Sequence, residues 1–149
     1  GEFVINLVNE ELARSADYCG VKSGRNEDKF AKCNLSKMPA DHVKAPLIKE
    51  SPVNLECKVL EIKEYQTHDM FIAEIVAVHA DEELFDDDGR IRLDLAGMVA
   101  FNHGEYFGIK RKPIGRFGFS VMKKSTKKRI NREAKEKRQK RNEARKRKA

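Results

Sequence analysis

Val53-Asn54-Leu55-Glu56-Cys57-Lys58-Val59-Leu60-Glu61-Ile62, followed after a polar turn by Met70-Phe71-Ile72-Ala73-Glu74-Ile75-Val76-Ala77-Val78-His79, decides the fold class. In the first run Val53, Leu55, Cys57 and Val59 alternate with Asn54, Glu56 and Lys58, the period of a strand with one apolar face. Leu60 and Ile62 then fall out of phase, which places a bulge within the strand. The second run is apolar on both faces and only Glu74 interrupts it, so it is expected to be central in a sheet or to lie at a subunit contact. With several shorter strands around them, the two runs argue for a small β-barrel with helical insertions, mainly β with helices, in the α+β class.

Upstream, Phe3-Val4-Ile5-Asn6-Leu7-Val8 reads as a strand. Asn9 is placed to cap a helix whose apolar stripe is Leu12, Ala13 and Ala16, with Glu10 and Glu11 in its first turn and Gly20 just past its end. A second short helix is expected from Asp28 to about Asn34, with Phe30 and Ala31 inward. Pro39, Pro46 and Pro52 mark residues 35–52 as irregular. Downstream, Asp86-Asp87-Asp88-Gly89 is a turn, residues 98–101 form a short apolar run, and residues 108–118 are rich in Gly, Lys and Arg.

Charge divides the 149-residue chain unevenly. Residues 123–149 hold 15 Lys and Arg against 3 Glu, a net of +12, whereas residues 1–122 carry a net of −5. The body is therefore expected to be one mildly acidic domain, residues 1–122, followed by a basic tail, residues 123–149, helical or disordered. Only the tail could serve a polyanion. Its Glu133–Lys137, Glu136–Lys140 and Glu143–Arg147 spacings favour a helix, and its Ile130, Ala134 and Ala144 form no stripe. A solubilising role without a specific partner, contact with RNA, and an anionic membrane surface are the alternatives for it. No apolar run approaches the ~20 residues of a membrane helix. Cys19, Cys33 and Cys57 show no paired spacing and suit reduced thiols in a reducing compartment, so a cytoplasmic location is expected.

Chemistry-bearing patterns are sparse. Cys19-Gly20-Val21-Lys22-Ser23-Gly24-Arg25 combines two glycines, a hydroxyl and two cations between two helices. Such a loop can hold an anion, and it can equally be a plain helix–helix connection. His68-Asp69 and His103-Gly104-Glu105 lack metal-ligand spacing, and hydrolase signatures are missing.

Six segments, taken in order, carry a resemblance. They are Gly1-Glu2-Phe3-Val4-Ile5-Asn6-Leu7, the stretch from Asp17 to Phe30, Lys44-Ala45-Pro46-Leu47-Ile48, Ser51-Pro52-Val53-Asn54-Leu55-Glu56-Cys57, the run from His68 to His79, and His103-Gly104-Glu105-Tyr106-Phe107. In order and spacing the body, residues 1–122, resembles the flavin reductase-like family, the FMN-binding split barrels that include flavoredoxins. The resemblance implies a homodimer of split β-barrels with FMN held non-covalently near the subunit interface. It also implies a further portion ahead of Gly1 that supplies much of the FMN contact, so that the barrel here is expected to be incomplete at its N-terminus.

By that resemblance Lys22, Ser23, Arg25 and Asp28 fall on the loop beside the cofactor. His68, Phe101, His103 and Tyr106 fall on positions close to the flavin. A cation there suits negative charge on the phosphate or the ring, and Tyr106 and Phe107 offer aromatic surface. No side chain is assigned as a catalytic acid or base, because the cofactor carries the chemistry. The activity implied is that of an FMN-dependent oxidoreductase, an NAD(P)H:FMN oxidoreductase or flavin reductase, moving hydride or electrons between NAD(P)H and flavin or a redox partner protein. The alternative is a non-catalytic, truncated barrel acting as a binding module with a nucleic-acid-contacting tail.

Overall fold

The computed structural model describes residues 1–110 and 112–148, the side chains of 137, 138, 141 and 144–148 excepted. The chain divides into two compact units, Gly1–Lys112 and Pro113–Ala149.

The first unit is built on the two long runs. They form β-strands Val53–Glu64 and Asp69–Ala80, paired antiparallel, and strand Glu2–Asn6 adds to the other edge of the first. In chain order the strands of this unit are β1 (Glu2–Asn6), β2 (Lys37–Met38), β3 (Leu47–Ile48), β4 (Val53–Glu64), β5 (Asp69–Ala80), β6 (Val99–Asn102) and β7 (Glu105–Gly108). The principal sheet has the order β1-β4-β5, while β2-β3 and β6-β7 are separate two-stranded pairs. The phase switch at Leu60 is a real bulge: Val59 pairs with Ala73 and Glu61 with Ile72, leaving Leu60 as the extra residue. A second irregularity lies between Glu56 and Cys57, where Val76 is the extra residue on β5.

Four expectations need correction. β5 is an edge strand of this sheet, not a central one, and its apolar side chains are open: Phe71 and Ile75 are each 54 % exposed. Asn54 and Glu56, on the alternation's polar face, are buried, because the segment between β2 and β3 lies over them. Helix α1 (Ala13–Val21) starts later and ends later than the pattern suggests. Asn9 is not the N-cap of that helix, which is Leu12 without a side-chain cap bond; the Asn9 side chain accepts from the Leu12 N–H at 3.0 Å in the turn before it, Asn9 bridges to Met98, and the Glu10 N–H donates to the Gly97 carbonyl. These ties hold residues 9–12 as a turn, and Gly20 falls inside the helix. Helix α2 (Lys29–Lys32) is capped by Asp28, with Phe30 half-buried and Ala31 exposed.

The buried core is thin. Val53, Leu84 and Ala96 pack together, with Leu7, Leu55, Ala80 and Met98 against them, so the excursion from residue 81 to 98 closes one end of the sheet. Asp86 organises that excursion by accepting from the Asp88 and Arg90 N–H groups, with Gly89 at φ 74°. The β6–β7 hairpin turns at His103 and Gly104, both at positive φ (49° and 82°), the pattern of a two-residue primed turn.

In the second unit a 3₁₀ turn, Phe119–Val121, precedes helix α3 (Lys124–Lys148), about 37 Å long by its residue count. Ile130 and Ala134 do have a local use: with Ile114, Phe119 and Met122 they line a cavity of about 280 Å³ beside the first turns of the helix. Further along, Glu133 and Glu136 turn toward Arg129 and Arg132 at 3.7 and 3.8 Å. Of the expected partners, Lys137 and Arg147 lie outside the described side chains, and Glu136 pairs with Arg132 in place of Lys140.

Leu84 is 5 % exposed in a core of few residues. Leu84→Ala should therefore destabilise the first unit by about 2–3 kcal/mol, read as a lower urea midpoint at unchanged slope.

Candidate functional site

Helix α1 ends at Val21, and Lys22 leaves it in extended conformation while its N–H still bonds the Tyr18 carbonyl. The chain then loops through Ser23, Gly24 and Arg25, the Ser23 hydroxyl accepting from the Arg25 N–H at 3.3 Å. The far end is fixed three ways. Tyr18 donates to the Glu27 carboxylate, Asp28 accepts from Phe30 and Ala31 N–H, and Lys29 Nζ donates to the Cys19 carbonyl at 2.6 Å. A loop of this composition would ordinarily be mobile; here both ends are tied to the last turn of α1. Lys22 and Arg25 point to solvent, and neither is paired with a carboxylate among the described residues. The loop thus presents two cations in no ion pair among the described residues and a hydroxyl, with the carboxylates of Glu27 and Asp28 engaged by Tyr18 and by the start of α2, a surface suited to a phosphate.

The β6–β7 hairpin supplies the aromatic part. Phe101 and Tyr106 face each other across the hairpin with ring centroids 4.9 Å apart and planes tilted by 55°. Tyr106 OH donates to Asp17 on α1 at 3.4 Å, which draws the hairpin to the same helix that launches the cationic loop. His103 sets the turn of that hairpin through its positive φ. The structure therefore brings Phe101 and Tyr106 to α1, and Lys22, Ser23, Arg25 and Asp28 onto one loop at its end.

His68 stands apart. It closes the β4–β5 turn, its carbonyl accepting from Tyr65 N–H and its Nδ1 lying 2.9 Å from Thr67 Oγ1. Along β4 it lies some ten residues beyond the Asn54 end, up to about 30 Å at the rise of a strand.

A second constellation was not anticipated. Glu56 is 0 % exposed, yet its carboxylate is fully engaged. Oε1 accepts from Asp41 N–H at 2.8 Å and lies 2.6 Å from His79 Nε2, and Oε2 accepts from His42 and Val43 N–H at 2.6 and 3.1 Å. Asp41 completes a group whose ligand atoms all lie within 4.8 Å. Both Glu56 oxygens are already spent on N–H donors, which makes the group a clamp on the overlying loop instead of a metal centre. Sequence reading missed it because Glu56 sits on the polar phase of the alternation. The usable signal was the pairing of Asn54 with His79, which sets that imidazole diagonally beside Glu56.

Residues 1–110 match the family described as the flavin reductase like domain. The chain belongs to that family. Among solved structures it is similar to flavoredoxin of Desulfovibrio vulgaris, with 34% identity and a TM-score of 0.71 over 78% of this chain and 63% of that one. It is similar also to flavoredoxin from Methanosarcina acetivorans, at 27% identity and a TM-score of 0.69, over 80% of this chain and 64% of that one. A split-barrel flavin reductase structure from Shewanella frigidimarina matches at 25% identity and a TM-score of 0.65, over 76% of this chain and 58% of the other. The fold is thus that of a split barrel, here as open sheets. An uncharacterised protein of Archaeoglobus fulgidus is 39% identical over 82 residues, 54% of this chain and 46% of that one. The chain spans about half the length of curated relatives it matches. Among the described residues no helix is long and apolar enough to cross a membrane.

The clamp has a pH signature. Burial alone would raise the Glu56 carboxyl, but the Asp41 and His42 N–H groups and His79 outweigh it and hold it at about 2, below its ordinary 4.5. The fold thus favours the ionised form. That contribution is complete above pH 4.5 and is lost as pH falls toward 2. Glu56→Gln should lower the neutral-pH melting temperature by about 5 °C or more. It should also flatten the acid limb in that window. An acid limb unchanged in the variant would assign it to other carboxylates.

Proposed function

We propose that this chain holds FMN in an oxidoreductase of the flavin reductase type, which takes hydride or electrons from NADH or NADPH and passes them to flavin or to a redox partner protein. The observation that carries the reading is the pinned loop with its unpaired Lys22 and Arg25, set on the same helix as the Phe101–Tyr106 pair. Those groups suit an anionic phosphate and a planar ring, and membership of the flavin reductase-like family favours FMN over other phosphorylated aromatics. Lys22 and Arg25 bind the phosphate by charge-assisted hydrogen bonds, and Ser23 adds a hydroxyl. Asp28 keeps the loop in place by capping α2. Phe101 and Tyr106 orient the ring and exclude water from its edge. When bound, FMN supplies the hydride-accepting and electron-passing chemistry, so the protein needs no acid or base of its own.

His68 fits this site only if it comes from a second copy. The open apolar side chains of β4 and β5, Leu60, Ile62, Met70, Phe71 and Ile75 among them, support a homodimer in which the β4–β5 tip of one protomer reaches the loop of its partner.

FMN titrated into the full chain should give visible flavin bands that survive desalting, and NADH or NADPH should bleach them without oxygen. Replacing Lys22 and Arg25 together by Ala should weaken FMN binding about 10–100-fold with the circular dichroism unchanged. A chain that takes up no FMN sinks the reading.

Helix α3 favours a second role, contact with nucleic acid, because its exposed cations continue beyond the short stretch that packs on residues 114–122. RNA retention should then fall by orders of magnitude between about 50 and 200 mM salt and vanish on deletion of residues 125–149. Retention that survives either change removes this role.

A further inference from the structure

Cys19 and Cys33 lie 14 residues apart in sequence with no motif between them, yet their sulfurs are 4.0 Å apart. Cys19 sits in the last turn of α1 and Cys33 caps the end of α2, and the Lys29–Cys19 hydrogen bond holds the two helices together. Both thiols are half-buried and within reach of a small reagent. Cys19 also lines an apolar cavity of about 160 Å³ with Leu12, Ala16, Leu35 and Ile48. Cys57, by contrast, is 1 % exposed and sits in the sheet. The residues bracketed by the pair include all of the cationic loop, residues 22–28.

We propose that Cys19 and Cys33 are a reversible dithiol–disulfide pair, oxidised by low-molecular-weight disulfides, whose bond closes the base of the cationic loop. The chemistry balances as ordinary exchange. One cysteine thiolate attacks the reagent disulfide, forming a mixed disulfide and expelling one small thiol. The second cysteine attacks the protein sulfur of that mixed disulfide and expels the other small thiol. Two S–H bonds are replaced by one S–S bond, the reagent is reduced to two thiols, and the two protons leave with them. Closing 4.0 Å to a bond of about 2.05 Å asks for a shift of about 2 Å, which side-chain rotation and the four-residue α2 can share. Burial, and then the hydrogen bond with Cys33, raise the Cys19 thiol against the opposing charge of Lys29, so exchange quickens as pH rises. The site needs no flavin, so the pair stands or falls separately from the FMN reading.

The test is to treat the full chain with oxidised glutathione, block free thiols, and digest with trypsin without reductant. The expected product is peptide 15–22 linked to peptide 33–37 at a mass two hydrogens below their sum, with Cys57 carrying the blocking group and no glutathione, and dithiothreitol releases the two peptides. In Cys33→Ser the expected product is a stable glutathione adduct on Cys19, since the resolving thiol is gone. Four outcomes would overturn the proposal: separate adducts on both cysteines of the unsubstituted chain, a link to Cys57, a disulfide between two chains, or no reaction at either thiol.

Discussion

The buried Glu56 carboxylate is the interaction on which the first unit depends. Residues 36–51 contribute little ladder of their own, only the two-residue pair β2–β3, so their backbone N–H groups need acceptors from elsewhere. Side chains of β1 and β4 provide them. Glu56 serves Asp41, His42 and Val43; Glu2 serves Lys44; Asn6 and Asn54 both serve Ile48. Ser51 ties the end of the segment to the Leu7 and Val53 carbonyls at 2.9 Å each. An irregular segment is thereby tied to β1 and β4, and its Ile48 lines, with Asn6, the cavity that Ala16 and Cys19 of α1 also line.

The same sheet leaves its other resources unspent at the far end. Every residue of β4 beyond Val59 is exposed, as is most of the first half of β5, apolar side chains included. A strand with apolar residues on both faces gains little from standing alone at an edge. The chain spans 63% of the D. vulgaris flavoredoxin it resembles.

The fold class was legible because it rests on local periodicity. The alternation from Val53, its break at Leu60 and the doubly apolar run to His79 all became strand geometry as read. The start of the second helix was legible at Asp28, which caps it, while Asn9, which reads as the cap of the first, accepts from the Leu12 N–H in the turn ahead of a helix that begins at Ala13. What escaped reading depended on contacts distant in sequence. The burial of Glu56 is set by a loop some fourteen residues upstream, and the place of β5 at an edge is a matter of strand order, which alternation does not encode. The site was half legible. The composition of the 22–28 loop suggested an anion, but its tethering through Tyr18–Glu27 and Lys29–Cys19, and the link from Tyr106 to Asp17, arise only when helices and hairpin meet.

The two irregularities of the β4–β5 hairpin have a consequence for how this sequence can vary. One strand carries Val76 as its extra residue and the other carries Leu60, so the pairing slips by one position between them and then returns, ending with Glu64 opposite Asp69. The defects cancel. Losing Leu60 alone would set Val59 and Glu61 next to each other opposite Ala73 and Ile72, so each pair beyond would keep its partner and its face. Losing Val76 alone would do the same for Glu56 and Cys57 opposite Ala77 and Ile75, and losing both would leave a regular ladder. The hairpin can therefore shorten by one residue at either of two places without changing which residues face each other.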